Sequence, residues 1–168
     1  MRLHTKASKI AFLGMMLALM LIFGYLETLF VIIPQVPGIK LGLPNLMLLM
    51  ILYKKDISPF TAFGVNIARI LLSAFLFGNV MNLIYALSGG LIALLVMYLM
   101  SRVKTFSCVG TSTAGGIVHN VVQCYVASLI TSSRAVFLYM PVLIVFGGLS
   151  GFINGWISVF LLKYLNKE

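Results

Sequence analysis

The chain has 168 residues, of which 61% are hydrophobic and only 9% charged. A soluble globular domain carries nearer a quarter charged residues, so this composition excludes one and leaves an integral membrane protein. The net charge of +9 raises a nucleic-acid partner, but the basic residues lie scattered at the ends of apolar runs and build no continuous patch, which argues against it.

A helical span needs roughly 20 apolar residues. The chain divides into spans near 10–32, 38–53, 58–77, 80–101, 112–131 and 136–163. The expected fold is therefore all-α: a bundle of six transmembrane helices forming a single domain over residues 1–168 within the lipid bilayer. Arg2, Lys6, Lys9, Lys54, Lys55, Arg102, Lys104, Lys163 and Lys167 then fall on one side, with only Lys40 and Arg134 on the other. By the positive-inside rule both termini are expected in the cytoplasm, and the connection between spans one and two outside.

The basic start followed by an apolar run has the outline of a secretory signal. The run from Ile10 is too long and no cleavage pattern follows it, so it is expected to stay as the first span. On that span Ala7, Ala11, Gly14 and Ala18 recur at i, i+4, i+7 and i+11, a narrow stripe along one side of a helix. Small residues let a second helix approach closely, whether from a partner protein or from the same bundle. Further along, Glu27 is the one carboxylate inside any predicted span. Such a group must be paired, protonated or next to water.

Between spans one and two, residues 34–45 hold Pro34, Pro37 and Pro44, three of the five prolines. Proline lacks an N–H and restricts the residue before it, so this stretch cannot continue the first helix. With Gly38 and Gly42 interleaved, it is expected to dip back toward the membrane as a lid, since irregular backbone at that depth needs cover from protein or water. A plain connector is the alternative. Span two is short unless the segment before Asn45 also lies at membrane depth, and Lys54, Lys55 and Asp56 form the turn after it.

Span three places Ala62, Asn66, Arg69 and Ser73 on one face. An arginine at mid-membrane costs about 2.5–3.5 kcal/mol on insertion scales, so compensation is expected. Either Glu27 pairs with it structurally or it serves as counter-charge for an anionic ligand, and the two are compatible. Span four opens on Asn79, a candidate helix cap, and Asn82, which either lines a cavity or helps satisfy the backbone. Span five carries the clearest polar row: Gly116, His119, Asn120, Gln123 and Ala127 share one side. A lone histidine there is ordinarily a satisfied core residue; with Asn120 and Gln123 beside it, a shared polar cavity with Arg69 becomes the expectation. Span six bears Gly147, Gly151 and Gly155, a GxxxGxxxG ridge expected to pack tightly within the bundle. Cys108 and Cys124 show neither metal-ligand nor disulfide spacing and are expected as small packing residues.

Absences narrow the chemistry. No GxxxxGK[ST] phosphate loop occurs, and three acidic residues cannot make a two-carboxylate metal site. No metal, cofactor or catalytic residue is assigned, and with Asp56 as the sole aspartate the chain lacks the clustered aspartates that hold a Mg²⁺-diphosphate.

The run Pro34-Gln35-Val36-Pro37-Gly38-Ile39-Lys40-Leu41-Gly42-Leu43-Pro44-Asn45, followed by a short apolar stretch and a Lys-Lys-Asp turn, resembles the bacterial membrane family labelled both Gx transporter and heptaprenyl diphosphate synthase component I. Size, six spans and the small-residue stripe are similar to the substrate-binding S components of energy-coupling factor (ECF) transporters. That resemblance implies that Ala7, Ala11, Gly14 and Ala18 dock onto a transmembrane coupling protein driven by ATPase subunits, and that the external loop closes over a vitamin-like substrate. The small residues here spread over two successive motifs, Ala7-Ala11 and Gly14-Ala18, which leaves the docking register open. The expected function is uptake of a small vitamin-like, flavin, quinone-precursor or prenyl-type molecule across a bacterial cytoplasmic membrane. The expected binding residues are Glu27, Lys40, Asn45, Arg69, Asn82, His119 and Gln123. The alternative is a non-catalytic membrane subunit of a prenyl diphosphate synthase.

Overall fold

The computed structural model describes residues 5–29, 42–54 and 56–165. Pro34, Pro37, Gly38 and Lys40 lie outside the described residues. Among those described, the secondary structure is entirely helical: α1 (Lys6–Leu29), α2 (Leu43–Tyr53), α3 (Pro59–Phe77), α4 (Val80–Arg102), α5 (Cys108–Thr131), a 3₁₀ segment (Arg134–Tyr139) and α6 (Met140–Leu165). α1, α3, α4, α5 and the combined 134–164 unit are each long and apolar enough to cross a membrane. The chain is a multi-pass helical membrane protein.

α2 departs from the expected span over 38–53. It has 11 residues, roughly 16 Å at 1.5 Å per residue, about half the hydrocarbon thickness. Burial explains how so short a helix persists. Every residue from Leu46 to Leu52 is buried, so α2 is apolar all round because protein surrounds it on all sides. Phe12, Met16 and Met20 of α1, spaced by one turn, pack on it together with Ala62 of α3 and Leu94 and Met97 of α4. The large apolar side chains of the outer helices point the other way, with Phe75 88% and Trp156 70% exposed, as suits a surface that meets lipid.

Lys54 closes α2 and is buried rather than solvated in a cytoplasmic turn, and both it and Asp56 are engaged by other groups. The same end of the bundle is pinned by the Tyr53 hydroxyl donating to Thr111 Oγ1 at 3.0 Å and by Phe60 and Phe63 against Tyr98. Arg102 lies 5.0 Å over the Tyr98 ring. The helix ends carrying Lys6, Lys9, Lys54, Arg102 and Lys163 thus share one end of the molecule.

Glycine sets the spacing of α5 and α6. A Cβ on Gly116 would collide with the Gly147 carbonyl oxygen; on Gly151 it would lie 2.6 Å from Ser112 O, and on Gly155 2.7 Å from Val109 Cα. The backbones touch with nothing between them, the geometry expected of a small-residue ridge. The stripe on α1 behaves differently: Ala7, Ala11, Gly14 and Ala18 are all exposed, and a Cβ on Gly14 would meet nothing within 4 Å. Intramolecular packing does not use it. Accordingly, Gly116→Leu should destabilise the detergent-solubilised protein by at least about 1–3 kcal/mol through overpacking, whereas Gly14→Leu should leave thermal unfolding unchanged; equal losses in the two variants would contradict this placement.

Candidate functional site

At the end of the bundle opposite the basic cluster, the entry to α2 is held through two backbone groups, one by α1 and one by α6. Gly42 adopts φ 68°, ψ 26°, the left-handed region where glycine carries no Cβ penalty, and this turn delivers the chain into α2. Pro44 occupies the first turn of that helix, where its missing N–H costs nothing. Glu27 Oε1 accepts the Leu43 N–H at 2.6 Å, one of the donors a helix start leaves unpaired. From α6, Asn154 Nδ2 donates to the Gly42 carbonyl at 3.1 Å. Gly42 and Pro44, expected as part of the lid, thus form the fixed entry to α2.

α3 supplies the cation. Asn66 is fully buried because its amide donates to the Gly90 carbonyl of α4 at 3.2 Å. Its Oδ1 accepts from Arg69 Nε at 3.3 Å and from one terminal nitrogen at 3.1 Å. The Ser73 hydroxyl donates to the Arg69 carbonyl at 2.7 Å, the usual i−4 bond of a helical serine. A guanidinium carries five N–H donors, of which Asn66 engages two. Arg69 is thereby aimed by a side chain that is itself locked.

α5 contributes the neutral polar groups. Gln123 Nε2 lies 2.9 Å from His119 Nε2 and donates to the Tyr85 carbonyl of α4 at 3.4 Å. Gly89 makes this approach feasible, since a Cβ there would lie 2.9 Å from Gln123 Cγ. Asn120 turns toward α6 and donates to Leu143 O at 2.8 Å. On α4, the Asn79 side chain accepts from Asn82 N at 2.8 Å and caps the helix, which leaves the Asn82 side chain at the helix mouth.

These elements enclose a cavity of about 120 Å³. Glu27, Gly42, Pro44, Asn45, Arg69, Asn82, His119 and Gln123 all line it, so every described residue expected at the site or in the lid borders one space. Arg69 and Glu27 feel one another's charge. Contributors that were not anticipated include Gly24 and Phe77, which border the cavity, and Asn154, which holds its rim. Asn154 lies between Gly151 and Gly155 of the glycine ridge, and its position beside that ridge is the sequence signal that pointed inward. Among the described residues no cluster of three His, Cys, Asp or Glu side chains could hold a metal ion. The cavity offers one cation, one carboxylate and several amides, which suits recognition of a small polar or anionic group.

The family described as heptaprenyl diphosphate synthase component I matches residues 16–161. The chain belongs to that family. No curated protein and no solved structure matches it. The family match runs from mid-α1 nearly to the end of α6 and so takes in every helix that borders the cavity.

Removing the Glu27 acceptor should loosen the entry to α2. In Glu27→Leu the Leu43 N–H loses its partner at a cost of about 1–3 kcal/mol, whereas Glu27→Gln keeps an acceptor oxygen. Amide exchange over residues 42–46 should accelerate in the first variant and change little in the second; unchanged exchange in Glu27→Leu would show that the bond does not hold the turn.

Proposed function

We propose that the protein is the substrate-capture subunit of an uptake transporter of the energy-coupling factor type, set in a bacterial cytoplasmic membrane. The observation that carries this reading is the cavity between α1–α6, in which a held guanidinium and a histidine–glutamine pair face a space at the end away from the basic cluster. Polar groups inside a membrane bundle that serve only packing are expected to bond one another and close the gap; here they border an opening. The exposed Ala7, Ala11, Gly14 and Ala18 stripe on α1 supports a helix of a coupling protein as its partner, with ATPase subunits supplying the energy.

The family description favours a second reading, a membrane subunit that assembles with a separate heptaprenyl diphosphate synthase. It calls for a soluble partner and gives the α1 stripe no ATPase-linked role. Affinity purification of the tagged chain from its native membrane separates the two. Under the transport reading a coupling protein and ATPases co-purify, Gly14→Leu abolishes that association, and the isolated variant keeps its bound small molecule. Recovery of a prenyl synthase without ATPases, unaffected by Gly14→Leu, would overturn transport in favour of the synthase subunit.

A further inference from the structure

A second cavity, of about 330 Å³, adjoins the polar one between α4, α5, the 3₁₀ segment and the start of α6. Tyr85, Cys124, Ala127, Val136, Tyr139 and Leu143 give it a largely apolar wall, and among the described residues no charged side chain lines it. Asn82, Ala86 and Gln123 border both spaces. The two therefore meet along one seam.

Size and chemistry both argue against treating them separately. Small-molecule pockets run to roughly 300–1,000 Å³. The polar cavity alone falls below that range, and among the described residues the cleft that reaches it has no group able to orient a ligand by charge. A wholly polar ligand would leave the cleft empty. A wholly apolar one would strip water from the polar rim of the cavity at Arg69, Asn82 and Gln123 and offer no polar contact in return.

We propose that the two cavities form one site for an amphiphile, its anionic head beside Arg69 and His119 and its apolar tail in the cleft between α4, α5 and α6. This names the substrate class of the capture reading and rests on it. Gln123 marks the boundary between head and tail: its amide reaches Tyr85 O on the cleft wall and touches His119 on the cavity side. Tyr139, 47% exposed at the cleft, gives the tail a way in from the apolar surroundings of the bundle. The head chemistry is shared by bilayer lipids and by free amphiphiles.

The test uses the full chain in phosphatidylcholine nanodiscs titrated with dodecyl phosphate, butyl phosphate and dodecanol, each corrected for partition into empty discs. Dodecyl phosphate should bind at least about tenfold more tightly than either of the others, a gap of roughly 1.4 kcal/mol. Ala127→Trp, which fills the cleft, should reduce dodecyl phosphate to the level of butyl phosphate and leave butyl phosphate unchanged; Ala127→Leu should fall between, and serves alone if the larger variant does not fold. Arg69→Gln should bring dodecyl phosphate down to dodecanol. Equal binding of the two phosphates to the wild type, or a chain-length preference that survives both Ala127 variants, would overturn the tail site while leaving the polar cavity as a capture site. Failure of both phosphates to bind would remove the capture reading as well. Competition by phosphatidylglycerol in the disc would identify a bilayer lipid as the source, and insensitivity to it a free amphiphile; both outcomes support the shared chemistry.

Discussion

The constraint on which the molecule turns is the burial of α2. A helix of 11 residues cannot bridge a bilayer, yet it lies at the centre of the core with its middle turns sealed by α1, α3 and α4. It can sit there only if its ends are satisfied, because the backbone donors and acceptors left over at a helix terminus have no water to turn to. At one end Glu27 and Asn154 meet Leu43 N and Gly42 O. At the other, the Lys54 N–H bonds to Ile51 O and Tyr53 bonds to Thr111. The polar groups at the cavity rim are thus first of all the solution to a packing problem.

That solution creates the cavity. Because α2 is short, its start at Gly42 lies within the bundle beside the last turns of α1 and α3, and the facing side chains there cannot all be apolar. Opposite, glycine contacts draw α6 onto α5 and α5 onto α4, which fixes the row of His119 and Gln123 within reach of the same space. The rigid side of the site is built from backbone contact and the charged side from hydrogen bonds to locked partners. Such a site is pre-organised, since neither Arg69 nor Gln123 must surrender much rotamer freedom on meeting a ligand.

Much of this was legible in the sequence. Composition and run length gave the helical bundle, and three- and four-residue spacing put Asn66, Arg69, His119 and Gln123 on inward faces, because that periodicity is a direct consequence of helix geometry. The glycine ridge of α6 was legible for the same reason. The shortness of span two was legible too, since it falls short unless the segment before Asn45 lies at membrane depth; its burial was not, because hydropathy does not distinguish a helix buried in protein from one buried in lipid. Nor was the burial of Lys54, since a Lys-Lys-Asp turn has the same composition whether water or protein covers it. Gly24 was missed as a site residue because nothing in its composition or charge marks it, and Asn154 because its place beside the glycine ridge marks an inward face but not its partner; the tertiary fold brings them beside Phe77 and Gly42.

The double duty of Glu27 has a thermodynamic consequence. Its carboxylate holds the entry to α2 and borders the cavity beside Arg69, so under the proposed capture role occupancy of the cavity and the position of that turn would be linked. A ligand group that competes with the Leu43 N–H for the carboxylate loosens the turn, and one that engages only Arg69 leaves it in place. The anionic head of the proposed amphiphile would select the second case, because its repulsion by Glu27 and attraction to Arg69 both direct it to the α3 side.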